Sequence, residues 1–217
     1  MERLATKVEA LLTGQPAPLA GQRKHSAIAK RPVQGRVDIT PLGLAGDSQA
    51  DRNHHGGPDK AVHHYPFDHY AHWRAVTGLA LAEPGWFGEN ISTTGLTEQT
   101  VCLGDRFQIG TAVLEVSHGR QPCATLVAHL GRKSMVKEVL SSGFTGWYYR
   151  VVTPGQAQAG DPVTLTNRPC PDWPLARLTD TLLHKGGDRQ TLADLAEHAV
   201  LAEAWRQIAR AKLATAA

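Results

Sequence analysis

The stretch Val113-Leu-Glu-Val-Ser-His-Gly-Arg-Gln-Pro-Cys-Ala-Thr-Leu-Val-Ala-His-Leu-Gly131 changes its periodicity half-way along. Leu114 and Val116 alternate with Glu115 and Ser117, the period-2 pattern of a strand. Gly119-Arg-Gln-Pro122 follows as a turn, and Leu126, Val127 and Leu130 then fall at helical spacing. The reading is a strand that hands over to a helix with Cys123 at the junction, three residues after Arg120. A thiol beside an arginine and the amide donors of a helix N-terminus is expected to have a lowered pKa and to be partly thiolate. A thiolate is a nucleophile or a soft metal ligand. A lone cysteine is more commonly a buried structural residue, so the flanking sequence matters.

Working outward, short strand signals dominate. Val8 to Gly14 reads as a strand or as the end of a helix begun at Leu4. Val33 to Ile39 reads as a strand with a turn at Gly35, and Pro41 to Asp47 as a glycine-punctuated loop. Ala61 to Tyr65 is a short strand, after which Phe67, Tyr70, Ala71 and Arg74 space like a helix with Pro66 in its first turn. Pro84 to Gly95 is a loop leading into a strand. Val101–Gly104 and Phe107–Ile109 read as strands around Gly104-Asp-Arg106. Downstream, Met135, Val136, Val139 and Leu140 mark a helix closed by Gly143, and Trp147–Val152 and Pro162–Leu165 are the last strands. Many short strands with a few short helices predict an α+β, mainly β fold, a largely antiparallel sheet or barrel.

Asn167-Arg-Pro-Cys-Pro-Asp172 is a proline-rich connector, and beyond it every signal is helical. Leu175, Leu178, Leu182 and Leu183 form one stripe, stopped by Gly186-Gly187. Thr191-x-x-Asp194 resembles a capping box for a second helix, and Val200, Leu201, Trp205 and Ile208 stripe a third. The expected division is a β domain over residues 1–168 and a three-helix C-terminal domain over 172–217. That tail is too small to hold a core alone and is expected to rest on the sheet.

Composition narrows the function classes. Lys+Arg 23 against Asp+Glu 20 leaves only +3, and no block of like charge is present, so a nucleic-acid partner is not indicated. Three widely spaced cysteines give neither a disulfide framework nor a CxxC metal site. The N-terminal stretch lacks the apolar run of a secretory signal, and no segment approaches the ~18 apolar residues of a membrane span. A cytoplasmic protein is expected.

Three further stretches carry polar chemistry. In His54-His-Gly-Gly-Pro-Asp-Lys-Ala-Val-His-His-Tyr65, the glycines would let backbone approach an anion, with Lys60 and a histidine adding charge. The same histidines with Asp51 or Asp59 would otherwise bind zinc, without any known zinc spacing. A solvated histidine-rich turn is as good a reading as either. In Phe87-Gly-Glu-Asn-Ile-Ser92, Asn90 would bond a flat heterocycle or cap a turn. His25-Ser-Ala-Ile-Ala-Lys30 sets a hydroxyl and an ammonium near the start of the sheet.

Taken in order, His55-Gly-Gly-Pro-Asp-Lys-Ala-Val62, Phe87-Gly-Glu-Asn-Ile-Ser92 and Arg120-x-Pro-Cys123 resemble the MOSC family, named after the C-terminal part of molybdenum cofactor sulfurase. More closely, the pattern is similar to YiiM-type proteins, which protect cells against 6-N-hydroxylaminopurine. The resemblance covers about Val8 to Thr166, and a three-helix tail belongs to the same subgroup. The stretch before Lys30 departs from the pattern, being longer and more basic around Gln22-Arg-Lys-His25. The resemblance implies a β-barrel-like domain binding a molybdenum–molybdopterin cofactor, with Cys123 as the metal ligand and Asn90 near the pterin. It further implies Ser26, Lys30 and Arg120 as phosphate or pterin contacts.

In that reading the His54–Lys60 loop lies on the pocket rim, and His55 delivers a proton as an N–O bond breaks. The implied activity is an oxidoreductase acting on small N-hydroxylated substrates, with a separate reductase as electron donor and no nucleic-acid or membrane partner. The alternatives are a molybdopterin-binding or sulfur-carrier module without turnover, and a metal-dependent hydrolase using the histidines. The tail is expected to cover the barrel or to build a homodimer, with the dimer favoured.

Overall fold

The computed structural model describes residues 5–19, 25–50, 56–78, 83–184 and 186–215. Among the described residues seven strands close into a barrel: β1 (Ala5–Thr13), β2 (Val62–Pro66), β3 (Ile91–Thr93), β4 (Arg106–Ile109), β5 (Ala112–Gly119), β6 (Trp147–Thr153) and β7 (Pro162–Asn167). Their order around the wall is β7-β4-β5-β6-β2-β3-β1, and β1 pairs back onto β7. All neighbours are antiparallel except β2 with β3. Closure leaves these strands no open edge. Six short helices accompany them: α1 (His69–Thr77), α2 (Ala124–Leu130), α3 (Met135–Ser142), and in the tail α4 (Leu175–Leu183), α5 (Arg189–Ala196) and α6 (Glu203–Thr215). The fold is thus α+β and mainly β. No helix among the described residues is long and apolar enough to cross a membrane.

Sequence patterning explains the barrel wall. In β4, Phe107 and Ile109 are buried while Arg106 and Gln108 are exposed, a one-sided strand. β5 differs: Leu114 and Val116 fill the barrel, yet Glu115 and Ser117 are buried too. The tail helices cover that second face. Leu175, Leu178, Leu182, Leu195 and Trp205 belong to the same apolar cluster as the barrel interior, so the tail borrows the core it could not build alone. A second cluster, with Tyr65, Tyr70, Trp73, Phe87, Leu126 and Met135, packs α1, α2 and α3 together.

Several local expectations are corrected. Val33 to Ile39 is not one strand: Gly35 turns at φ 75°, separating the short strand Arg31–Pro32 from Val37–Thr40. The latter pairs with Gly155–Ala157 and Gly43–Leu44 in a separate three-stranded sheet. Val101–Gly104 is not a strand, because Cys102 makes only an isolated bridge to Pro174 and its N–H donates to the Asp105 carboxylate at 2.9 Å. Pro66 ends β2 instead of opening α1. The cap of α5 lies three residues earlier than Thr191: Asp188 accepts from Thr191 N–H at 2.8 Å. Val200 and Leu201 precede α6.

Candidate functional site

A one-residue irregularity shapes the site. β5 and β6 pair at Val116–Tyr149 and next at His118–Tyr148, so Ser117 is an extra residue on β5. Such a bulge re-aims the side chains that follow it. Simple alternation would send His118 into the barrel with Leu114 and Val116. The bulge instead brings it beside Tyr148, whose neighbour Tyr149 fills the interior. The Ser117 hydroxyl lies 2.6 Å from the Asp59 carbonyl and 3.0 Å from that of Tyr148, which holds the bulge. On the next strand His63 pairs with Tyr148. Three strands therefore lay three rings side by side, His63 and His118 at 5.0 and 5.3 Å from Tyr148.

Beyond the bulge the chain does what its periodicity predicts. Arg120 N–H donates to the Gly146 carbonyl at 3.0 Å, the chain turns through Gln121 and Pro122, and Cys123 takes the N-cap position of α2 in extended conformation. Arg120 is buried, its Nη1 without a hydrogen-bond partner. Burial raises the Tyr148 phenol, while the Arg120 charge and hydrogen bond pull it back.

The opposite wall is the segment Ser26–Lys30, which lies tight against the loop before β3. A Cβ at Gly85 (φ 99°) would sit 2.6 Å from the Lys30 carbonyl, so glycine is required there for approach as well as for φ. Ser26 Oγ accepts from Ile28 N–H at 3.2 Å and shapes the turn. The Lys30 ammonium is ion-paired with Asp47, both side chains buried. Asp47 also accepts from Gly14 N–H at 2.7 Å and from Asn90 Nδ2 at 2.9 Å. Asn90 in turn donates to the Leu12 carbonyl at 3.2 Å and accepts from His63 N–H at 3.1 Å. Its amide braces β1 against β2. Burial pushes the Lys30 pKa down against the opposing pull of Asp47.

These walls enclose a cavity of about 640 Å³. Five of the six sequence-predicted residues line it: Ser26, Lys30, Asn90, Arg120 and Cys123. The sixth, His55, lies outside the described residues, as do His54 and Asp51. Lys60 also lines the cavity, its pKa lowered by burial against the pull of Asp59 and Cys123. Trp205 and Ile208 of α6 form a third wall.

The histidines of the polar cluster part company. His64 lies in the core, bonded to Thr93 at 3.0 Å and Tyr149 at 3.1 Å and stacked on Trp147, with its pKa lowered to about 3 by burial. His63 lines the cavity, held neutral by burial and the nearby Arg120 charge. Burial likewise lowers His118 to about 4. Among the described residues no three His, Cys, Asp or Glu side chains gather as a metal site, which gives the zinc reading no support there.

Asp47, Tyr148, His118 and Trp205 belong to no motif, and His63 is one of several histidines in the polar cluster that sequence does not tell apart. Asp47 lay in the glycine loop, and Trp205 had the spacing of an ordinary helix stripe. A bulge leaves no mark in a hydrophobicity pattern. His63 Nε2, His118 Nε2 and Arg120 Nη1 are all buried without partners. Each unmet polar group costs on the order of 1–3 kcal/mol, a cost that a bound polar molecule would relieve.

A model of the MOSC domain matches residues 51–164, and one of the YiiM-like, 3-alpha helix domain matches residues 173–216. The chain belongs to the MOSC domain family. The Bacillus subtilis protein YflK, described as uncharacterized, is 36% identical over 95% of this chain and 94% of its own. Escherichia coli YiiM is 43% identical over 67% of this chain and 66% of its own. A Gibberella moniliformis protein named a reductase is 38% identical over 68% of this chain but only 27% of its own length. The crystal structure of YiiM from Geobacillus stearothermophilus superposes with a TM-score of 0.82 at 29% identity, covering 96% of this chain and 99% of that one. The cavity of this MOSC protein is walled by both matched regions, Cys123 from the first and Trp205 from the second.

Proposed function

We propose that the chain is a molybdenum cofactor-dependent reductase of N-hydroxylated compounds such as 6-N-hydroxylaminopurine, with Cys123 as the protein ligand to the metal and a separate reductase as electron donor. The observation that carries the reading is the gathering of a thiol, three cationic side chains and three unpartnered buried nitrogens around one cavity. The reductase-named relative supports the reaction class.

The residues fit the cofactor. A thiolate suits a soft metal, and Arg120 Nη1 is a buried donor with nothing to bond, apt for a pterin or phosphate oxygen. Lys60 adds positive charge to the same wall. Lys30 is already neutralised by Asp47, so the phosphate role falls more on Arg120, with its unpartnered Nη1, than on Lys30. Asn90 fixes the wall beside the pterin through its bonds to Leu12, Asp47 and His63. When bound, the cofactor supplies the two-electron chemistry. The N–O bond breaks, two electrons and two protons enter, and amine and water leave. His63 and His118 are held neutral and do not donate protons near pH 7; that role is assigned to His55.

The test is metal and pterin analysis of protein expressed with molybdate, with turnover of 6-N-hydroxylaminopurine under an artificial reductant. Wild type should carry molybdenum and turn over, and Cys123→Ser should lose function with the fold intact. His55→Ala should slow turnover at unchanged molybdenum content. Cofactor without turnover would favour the carrier module, and turnover without molybdenum would sink the proposal.

A further inference from the structure

His118 has a defined tautomer. Its Nδ1 lies 2.6 Å from the Gly119 carbonyl, an acceptor only, so the ring proton of a neutral imidazole sits on Nδ1 and the lone pair on Nε2. Burial keeps the ring neutral, helped by the Lys60 and Arg150 charges, against the opposing pull of the Gly119 hydrogen bond and of Asp59. The side chain is 2% exposed and its Nε2 has no partner. The ring contacts Tyr148 on β6 and Trp205 on α6, the latter stacked at 5.5 Å and 27°. All three side chains line the cavity. A bulge, a tautomer-setting bond and an inter-domain stack thus converge on one ring whose remaining polar atom is unused.

We propose that His118 is a positioning residue whose Nε2 accepts a hydrogen bond from an N–H or O–H on the edge of a planar heterocycle bound in the cavity, with Trp205 holding the imidazole in place. Two molecules of the proposed function carry that chemistry, the pterin of the cofactor and the N-hydroxylated base. The inference rests on that function only for the ligand's identity. His63 lines the cavity from the other side of Tyr148 with a second unpartnered Nε2, so two ring nitrogens and the Arg120 Nη1 donor are open to a ligand there.

The experiment uses the full chain from a host that makes no molybdopterin, titrated by calorimetry with 6-N-hydroxylaminopurine and, separately, with free pterin. His118→Leu removes the acceptor, whereas His118→Gln returns a carbonyl oxygen near the place of Nε2. The Leu variant should bind one probe on the order of tenfold more weakly, and the Gln variant should recover most of the loss at matched thermal stability. The probe that responds identifies the source as cofactor or substrate. Nitrogen-15 NMR of the histidine rings should show the proton on Nδ1 of His118 and a shift of Nε2 on binding. Equal affinity of all variants for both probes, a Gln variant as weak as Leu, binding of neither probe to wild type, or a proton on Nε2 would each overturn the assignment. None of these readouts needs molybdenum or turnover, so this inference and the reductase reading fail separately.

Discussion

Asp47 is the residue on which one wall of the cavity converges, since Lys30, Asn90 and Gly14 all bond to it. Asp47→Asn removes the counter-charge of a buried ammonium without changing shape. Breaking a buried pair in this way costs about 3–5 kcal/mol, so chemical denaturation should show a loss of that order. Lys30→Met, which removes the charge with its stem retained, should cost less when combined with Asp47→Asn than either change alone. At the other wall, the three cysteines should behave differently. Cys102 and Cys170 lie at the tail junction, with their thiols pushed up chiefly by burial. Their serine variants should keep molybdenum content, whereas Cys123→Ser should lose cofactor function; equal behaviour of all three would remove the special status of Cys123.

Among the elements, β5 carries the most information per residue. At Gly119 an added Cβ would stand 2.9 Å from Thr179 Oγ1 and 3.0 Å from Trp205 Cη2. Gly119→Ala is therefore a wedge between barrel and tail, expected to destabilise by about 1–3 kcal/mol and to disturb the Trp205 stack. Near-ultraviolet circular dichroism and denaturant midpoints would register it. The junction from β5 to α2 was legible in the sequence because two periodicities meet there, and the glycine-rich loops were legible by composition. Cavity-lining Ser26, Lys30 and Asn90 were legible as polar candidates from their chemistry, but became specific only through family resemblance. The bulge at Ser117 was not, since alternation assigns Leu114, Val116 and His118 to one face. The short strands at Arg31–Pro32 and Gly43–Leu44 escaped for a similar reason: two residues have no period.

The molecule as a whole should be acid-sensitive. His64 and His118 are neutral in the folded protein, with pKa values lowered to about 3 and about 4, while an unfolded histidine titrates near 6.5. Above that pH neither state binds the proton and stability is fully present. Below it the unfolded chain takes up protons that the folded chain refuses, so stability falls by up to about 1.4 kcal/mol per pH unit for each histidine until the folded pKa is reached. Denaturation measured from pH 7 to pH 4.5 should show this slope, and it should be shallower in His118→Gln.

Because Trp205 and Ile208 wall the cavity from α6, occupancy and tail docking are linked equilibria. A molecule that fills the cavity touches both matched regions of the chain and so tightens the seam between them. Amide hydrogen exchange along α6 should slow when the cavity is filled. A tail loosened by Gly119→Ala should release its ligand faster, although Cys123 and the cavity-lining Arg120 keep their side chains.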